Sequence, residues 1–285
     1  PSSGGTLLHQ MMKMVEDYPL AEYGFHSPEA VQLMTEVERR AYADRSEHMG
    51  DADFYPVPSI ITTESYLKER MKDYRPGVAG SSQVVRPGKV SKQSEETTHL
   101  SVIDAEGNAV AVTTTLNNSY GSKTVIGGAG FFMNDEMDDF SSKPGVPNMY
   151  GALGGEANAI EPGKRMLSAM TPTIVLKDNK PFLVVGTPGG TTIPTSVFQT
   201  IVNIIDFKLS TEDAVNQPKF HHQWFPDRID LEKNFPASTR AALEKMGYQI
   251  GERSSIGRTE VIKVLPDGSF EAVADVRGDD HAEGW

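Results

Sequence analysis

The sequence predicts an α+β fold built on antiparallel sheets. Three pairs of short strand-like segments are each joined by a tight turn, which is the pattern of a β-hairpin. Helix candidates lie before and between these hairpins and do not alternate with single strands. Because a parallel, doubly wound sheet needs a helix between successive strands, this order favours antiparallel sheets that are covered by helices.

The N-terminal third is predicted to be helical. Thr6 can cap a first helix, which carries apolar residues at helical spacing and ends before Pro19. Ser27-Pro28-Glu29 predicts the start of a second helix, because a hydroxyl suits the cap, proline suits the first turn and an acid suits the positive helix end. The methionines in this region are typical of flexible core packing.

A segment of different composition precedes the first hairpin. Residues 74–97 contain two Arg-Pro-Gly sequences, a Gly/Ser-rich stretch and a charged run, and together they predict an exposed linker. The first hairpin is predicted over 97–115, with its turn at 105–108. Later hairpins and helices are predicted, in chain order, over 173–185, 192–207, 211–216, 238–246 and 261–274.

Composition excludes several classes of function. The chain has 285 residues, a formal net charge of −12 and no basic block, so it is a poor candidate for binding nucleic acid. It has no cysteine, which excludes disulfides, thiolate metal sites and cysteine nucleophiles. No apolar run is long enough to span a membrane. The chain opens at Pro1 without a methionine, and we interpret it as a processed or truncated piece.

The first hairpin brings two threonines together. A hairpin centred on Glu106 pairs Thr97 with Thr115 across the strands. A neighbouring hydroxyl can orient a threonine nucleophile, and a free α-amine on the same threonine can serve as its base. That amine exists only if the Glu96–Thr97 bond is broken, at the end of a polar stretch that would tolerate a break. The residue pattern alone leaves ordinary strand threonines as the alternative.

The histidines do not predict a metal site. His221 and His222 are adjacent and would point to opposite faces of a strand, and no cysteine or spaced carboxylate joins His99 to complete a ligand set. The acidic run at 134–140 lacks the spacing of an EF-hand loop. We therefore predict neither a metal nor a cofactor.

Further segments carry a family pattern in chain order. Thr97-Thr98-His99 opens the hairpin, and the other matching segments are Pro1–Gly5, Tyr42–Arg45, Asn117, Asn134–Phe140, Lys164–Ser168 and Gly186–Gly190. Together these segments resemble the γ-glutamyltransferases, members of the N-terminal-nucleophile hydrolase superfamily. The resemblance extends over essentially the whole chain.

The resemblance implies a four-layer αββα sandwich made of two subunits. Residues 1–96 would be the C-terminal part of a large subunit, and residues 97–285 would be the small catalytic subunit, separated by self-cleavage before Thr97. The family's large subunit is longer than residues 1–96, and its arginine for the substrate α-carboxylate has no position here. The resemblance also implies a periplasmic or secreted location.

The resemblance further implies catalytic roles. Thr97 would attack the γ-glutamyl carbonyl with its own amine as base, and Thr115 would orient Thr97. The backbone N–H groups of Gly189 and Gly190 would stabilise the oxyanion, because glycine lets the backbone approach closely. The substrates would be γ-glutamyl compounds such as glutathione or glutamine-like molecules, and amino acids or peptides would accept the acyl group.

Substrate-binding roles follow from the same resemblance. Asn117, Glu136 and Asp139 would bind the α-ammonium group, since carboxylates pair well with a cation. Their alternative is a solvated acidic loop. Ser168 would donate to the α-carboxylate. The family usually has a second serine where this chain has Ala169, and one lost hydrogen bond to a charged group costs about 1.5–3 kcal/mol.

Two questions stay open at this stage. Residues 141–155 resemble a lid loop with Tyr150 as its gating aromatic, and an ordinary surface loop is the alternative. Ala169 keeps open a related acylase, of the cephalosporin or poly-γ-glutamate type. For the same question of function, an uncleaved, non-catalytic relative or fragment is a further alternative.

Overall fold

The computed structural model describes residues 2–88, 98–143, 145–148, 151 and 153–284. The α-helices are α1 (Gly4–Val15), α2 (Leu20–Tyr23), α3 (Pro28–His48), α4 (Glu64–Met71), α5 (Ile193–Ile205), α6 (Thr211–Asn216) and α7 (Ala237–Met246). The strands are β1 (Thr98–Ile103), β2 (Ala109–Thr114), β3 (Thr173–Lys177), β4 (Lys180–Gly186), β5 (Phe220–His221), β6 (Ile229–Glu232), β7 (Ile250–Arg253), β8 (Glu260–Val264) and β9 (Phe270–Val273). Short 3₁₀ helices cover Ser59–Thr62, Glu136–Asp139, Glu156–Asn158 and Gly190–Thr192.

The two N-terminal helices differ in how well their starts were predicted. Helix α3 begins as expected: the Ser27 hydroxyl accepts the Ala30 N–H at 3.0 Å, and Pro28 occupies the first turn. Helix α1 begins at Gly4, so the prediction that Thr6 caps it was wrong. Its start is held by tertiary contact instead, because the Ser3 N–H donates to the Ser168 carbonyl at 2.8 Å.

The three predicted hairpins are all present and antiparallel. In the first, Thr98 pairs with Thr114, which is the register of a hairpin centred on Glu106. The other two join through β4 and β8 into one four-stranded sheet of order β3-β4-β8-β9. A three-stranded sheet, β5-β6-β7, was not predicted, and its β6–β7 pair is parallel.

The layers follow from strand β4, which is buried on both faces. Leu183 and Val185 belong to the main apolar core, together with side chains of α1, α3 and α5. Val184, which points to the opposite face, is equally buried. On that face the β1–β2 hairpin lies against the sheet, with the His99 ring over Gly186. Helices, the four-stranded sheet and the hairpin therefore form successive α, β and β layers.

The predicted linker is exposed or half-buried over most of its described residues, but Ser82 and Val85 within it are buried. Ser82 and Val85 contact Trp224, whose indole N–H donates to their carbonyl oxygens at 3.0 Å and 2.9 Å. The Ser82 N–H also donates to the Asp227 carboxylate at 2.8 Å. Residues 89–97, which include Thr97, lie outside the described residues. Over the described ranges, no helix is both long and apolar enough to cross a membrane.

Candidate functional site

The hairpin ends in a turn that presents Asn117. The Thr115 hydroxyl accepts the Asn117 N–H at 2.7 Å, and Asn117 has a left-handed backbone with φ of 70°. Its side-chain amide donates to the Asp135 carbonyl at 3.2 Å. These contacts join the end of the hairpin to the acidic segment. Thr97, the predicted nucleophile, lies outside the described residues.

Asp135 holds the acidic segment together, a role that the sequence did not predict. Its carboxylate accepts the Asn118 N–H at 3.0 Å and the Asn118 side-chain amide at 2.6 Å. The Asn134 side chain in turn accepts the Glu136 N–H at 3.1 Å. A repeated pattern of Asn and Asp around a turn is the sequence signal that could have indicated these contacts.

Glu136 and Asp139 lie one turn apart on the same 3₁₀ helix, so their side chains share one face. Glu136 is 9% exposed and Asp139 is 1% exposed. Burial, and then the nearby Asp135 charge, raise the pKa of the Glu136 carboxyl, while a hydrogen bond from the Asn117 backbone opposes the rise. A cation bound beside Glu136 would relieve this cost, because it would stabilise the charged carboxylate.

The segment that contains Ser168 is held by hydrogen bonds to residues of the N-terminal part. The Ser168 carbonyl accepts both the N–H and the hydroxyl of Ser3, each at 2.8 Å. Three positions earlier, Arg165 donates to the buried Asp51 carboxylate from its backbone N–H at 2.9 Å and its Nε at 2.8 Å. The Ser168 hydroxyl accepts the Met170 N–H at 3.0 Å. Ala169 is fully buried.

The glycine loop follows β4 and leads directly into α5. Gly189 has φ of 137° and Gly190 has φ of 63°, conformations that side chains disfavour. The Thr192 hydroxyl donates to the Gly189 carbonyl at 2.7 Å and so closes the turn. Backbone N–H groups at the start of a helix carry partial positive charge, which suits them to stabilise an anion.

His99 connects the first hairpin to the glycine loop. Its ring accepts or donates hydrogen bonds with Thr113 and Ser101, both at 2.9 Å, and it covers Gly186 so closely that a Cβ there would lie less than 3.0 Å from the imidazole. Burial lowers the pKa of His99 to about 4, so the ring is neutral at neutral pH. In the part of the chain that is described, no cluster of three potential metal ligands occurs.

The predicted site residues thus fall into two groups. In the first group, hydrogen bonds link Asn117 to Thr115 and to Glu136. In the same group, Asn158 links Asp139 to the segment of Ser168. Gly189 and Gly190 lie in the loop after Gly186, the last residue of β4, which the His99 ring of the hairpin covers. Tyr150, the predicted lid aromatic, lies outside the described residues. Around it, the Gly145 N–H donates to the Gly154 carbonyl at 2.8 Å, which closes the loop at its base.

Comparison with known proteins places this arrangement in a class. A cephalosporin acylase from Bacillus halodurans is 22% identical and superposes with a TM-score of 0.84, over 100% of this chain and 49% of that chain. Gamma-glutamyltranspeptidase from Pseudomonas nitroreducens, complexed with L-DON, is 46% identical, with a TM-score of 0.64 over 66% of this chain and 100% of that chain. The fold is the α+β sandwich of the N-terminal-nucleophile hydrolases.

The family follows from the sequence comparisons. The family model described as Gamma-glutamyltranspeptidase matches residues 1–285, and the chain belongs to this family. The glutathione hydrolase proenzyme of Escherichia coli K12 is 47% identical over 100% of this chain and 50% of that protein. The acylase ACY 1 proenzyme of Pseudomonas sp. SE83 is 32% identical over 98% of this chain and 48% of that protein. The chain spans about half the length of these curated relatives.

Proposed function

We propose that this chain carries the catalytic centre of a γ-glutamyl hydrolase and transferase that acts on glutathione-like compounds. This proposal rests on one observation. Strand β1 starts at the residue after Thr97 and packs on the sheet that contains strand β4. The glycine loop follows β4. His99 ties the two strands together through Gly186. A nucleophile at the start of β1 and oxyanion donors at the end of β4 would then serve the same carbonyl group.

In this proposal, the Thr97 hydroxyl attacks the γ-glutamyl carbonyl carbon while the Thr97 amine takes the hydroxyl proton. The oxyanion of the tetrahedral intermediate accepts the N–H groups of Gly189 and Gly190. Collapse of the intermediate breaks the amide bond, and the protonated amine returns its proton to the leaving amine. Water or an acceptor amine then attacks the resulting ester, which releases glutamate or a new γ-glutamyl amide and restores Thr97.

The same proposal assigns the substrate head group. Glu136, Asp139 and Asn117 bind the α-ammonium group, and the raised pKa of Glu136 supports this, since a bound cation offsets the cost of a buried carboxylate. Ser168 donates its hydroxyl to the α-carboxylate. Thr115 orients Thr97, and Tyr150 closes over the pocket as the lid aromatic. Amino acids or peptides serve as acceptors.

We propose the subunit boundary at Glu96–Thr97, with residues 1–96 and 97–285 pairing after cleavage. Residues 97–285 are about two thirds of the chain, and the Pseudomonas nitroreducens chain is covered completely by 66% of it. The word proenzyme in the names of the curated relatives supports cleavage as well. A periplasmic or secreted location is part of the proposal and rests on the family resemblance.

The denatured intact mass of the full-length protein after prolonged incubation tests this function. We expect two fragments, one of which begins at Thr97, and release of p-nitroaniline from γ-glutamyl-p-nitroanilide. Thr97→Ala should stay uncut and inactive, whereas the adjacent Thr98→Ala is the matched control and should be cut. A single uncut mass with no activity would contradict the proposal and favour a non-catalytic relative.

Ala169 and the 32% identical acylase support the alternative function of an acylase. The preferred acyl group of the substrate distinguishes the two functions. Both enzymes would pass through a Thr97 ester. A γ-glutamyl hydrolase should prefer γ-glutamyl-p-nitroanilide over glutaryl-p-nitroanilide, which keeps the terminal carboxyl group but lacks the α-amino group. A preference for the glutaryl compound would assign the chain to the acylases.

A further inference from the structure

Asn158 lies between the two segments that are proposed to hold the substrate head group. It is completely buried. Its side-chain amide donates to the Asp139 carbonyl at 2.6 Å, and its side-chain oxygen accepts the Leu167 N–H at 3.2 Å. One side chain therefore connects the backbone of a proposed ammonium-binding residue to the backbone of the residue before Ser168.

The Asn158 backbone strengthens the first of these connections. Its carbonyl accepts the Ser141 N–H at 2.9 Å, two residues after Asp139. Asp139 ends a short 3₁₀ helix and Ser168 lies outside the helices and strands, so neither belongs to the paired strands of the sheets. Their spacing is therefore not set by a β-ladder, and the Asn158 hydrogen bonds supply a direct constraint on it.

That spacing matters for an α-amino acid, whose ammonium and carboxylate groups leave the same carbon atom. Both groups can be bound at full strength only if the two sets of protein groups are held at a matching separation. We propose that Asn158 is a positioning residue that sets this separation. It thereby determines the preference for a free α-amino-acid head group. This inference rests on the proposed function.

The chemistry of the asparagine side chain fits this role. It carries an NH2 donor group and a carbonyl acceptor on the same carbon atom, and both groups are used. An ionised aspartate would keep an acceptor for Leu167 but would place a second oxygen against the Asp139 carbonyl. Since the position is fully buried, water has no direct access to replace the lost bond.

Calorimetric titration of the full-length protein with L-glutamate and with glutarate tests the inference. In Asn158→Asp and Asn158→Ser we expect the affinity for L-glutamate to fall about ten-fold or more. We expect glutarate, which has no α-amino group to place, to lose less than about three-fold. Hydrolysis should follow the same pattern, with KM rising for γ-glutamyl-p-nitroanilide but not for glutaryl-p-nitroanilide.

Asn203→Asp is the matched control. Asn203 is also a buried amide, in α5, and donates to the Ala214 carbonyl at 3.3 Å. It should lose thermal stability without changing the ratio of L-glutamate to glutarate affinity. Lowering the pH should partly restore that ratio in Asn158→Asp, because a protonated carboxyl can donate to the Asp139 carbonyl.

The outcomes separate this inference from the proposed function. If the wild-type protein hydrolyses γ-glutamyl-p-nitroanilide and the Asn158 variants keep the wild-type ratio of affinities, the inference is wrong and the function stands. If the wild-type protein binds L-glutamate but does not hydrolyse the anilide, the function fails and the variants still decide the inference. A wild-type protein that binds no L-glutamate overturns both.

Discussion

The glycine loop and the acidic segment serve one proposed site but are held in different ways. The glycine loop is enclosed by the core: Gly186 lies under His99, Gly189 lies against Thr192, and the Tyr42 hydroxyl donates to the Thr191 carbonyl. The acidic segment, in contrast, is held mainly by hydrogen bonds to Asn and Asp side chains of its own loops. Met137 within the segment and Phe131 beside it are exposed.

The two regions should therefore respond to different kinds of amino-acid substitution. In the glycine loop, the backbone positions are fixed by steric contact, so an added methyl group should be costly there. In the acidic segment, the important quantity is the charge of buried carboxylates, so a substitution of equal shape but different charge should have the larger effect. Four predictions test this comparison, from the largest expected effect to the smallest.

Gly189→Ala should lower kcat/KM for γ-glutamyl-p-nitroanilide by about 100-fold or more. A Cβ at Gly189 would lie 2.6 Å from the Thr192 hydroxyl and 3.1 Å from the Gly257 Cα, and φ is 137°. Gly268→Ala is the matched control, because Gly268 has φ of 88° but no atom near the added Cβ. The control should lose some stability and keep its kcat/KM. Equal kcat/KM in both variants would contradict steric control of the loop.

Gly4→Ala should destabilise the protein by about 1–3 kcal/mol and raise KM. A Cβ at Gly4 would lie less than 3.0 Å from the Met170 carbonyl and the Thr171 hydroxyl, next to Ser168. The neighbouring Gly5→Ala meets no atom within 4 Å and should stabilise α1 by about 0.5–1 kcal/mol. Urea denaturation and KM measurements would show this opposite behaviour. Similar stability changes in both variants would mean that α1 does not support the Ser168 segment.

Glu136→Gln should raise KM about ten-fold while making the folded state more stable at neutral pH. Burial raises the pKa of Glu136, so the charged carboxylate is a cost to the folded state above its ordinary titration range. That cost is absent at low pH and appears as the pH rises through the ordinary and then the raised pKa. Glu106→Gln, in the exposed hairpin turn, is the control and should change neither property. A Glu136→Gln protein with wild-type KM would remove this residue from the ammonium site.

His99→Asn should reduce the loss of folding stability that the protein shows at acidic pH. The folded-state pKa of His99 is about 4, below the ordinary value of 6.5. The contribution of the neutral ring to folding stability is therefore complete above pH 6.5 and is lost as the pH falls toward 4. For His99 this loss is on the order of 2 kcal/mol. Chemical denaturation at pH 7, 5.5 and 4 would measure it. A variant with the same loss as the wild-type protein would show that His99 is not held neutral by the fold.

The sequence by itself determined the local elements of this protein. All three predicted hairpins formed, because alternating side chains and tight turns act over a few residues. The cap at Ser27 formed for the same reason. The order of short motifs was enough to indicate the family, which the comparisons confirm. The roles of the individual site residues stay predictions.

Tertiary structure alone decided how these elements are joined. The parallel β6–β7 pair, the start of α1 at Gly4 and the burial of Ser82 and Val85 all depend on partners far away in the chain. The same is true of Asn158, which contacts Asp139 and Leu167 across two loops. Such contacts leave no periodic pattern in the sequence, because the free energy that stabilises them comes from burial and hydrogen bonding in the assembled core. Local chain preferences contribute little to them.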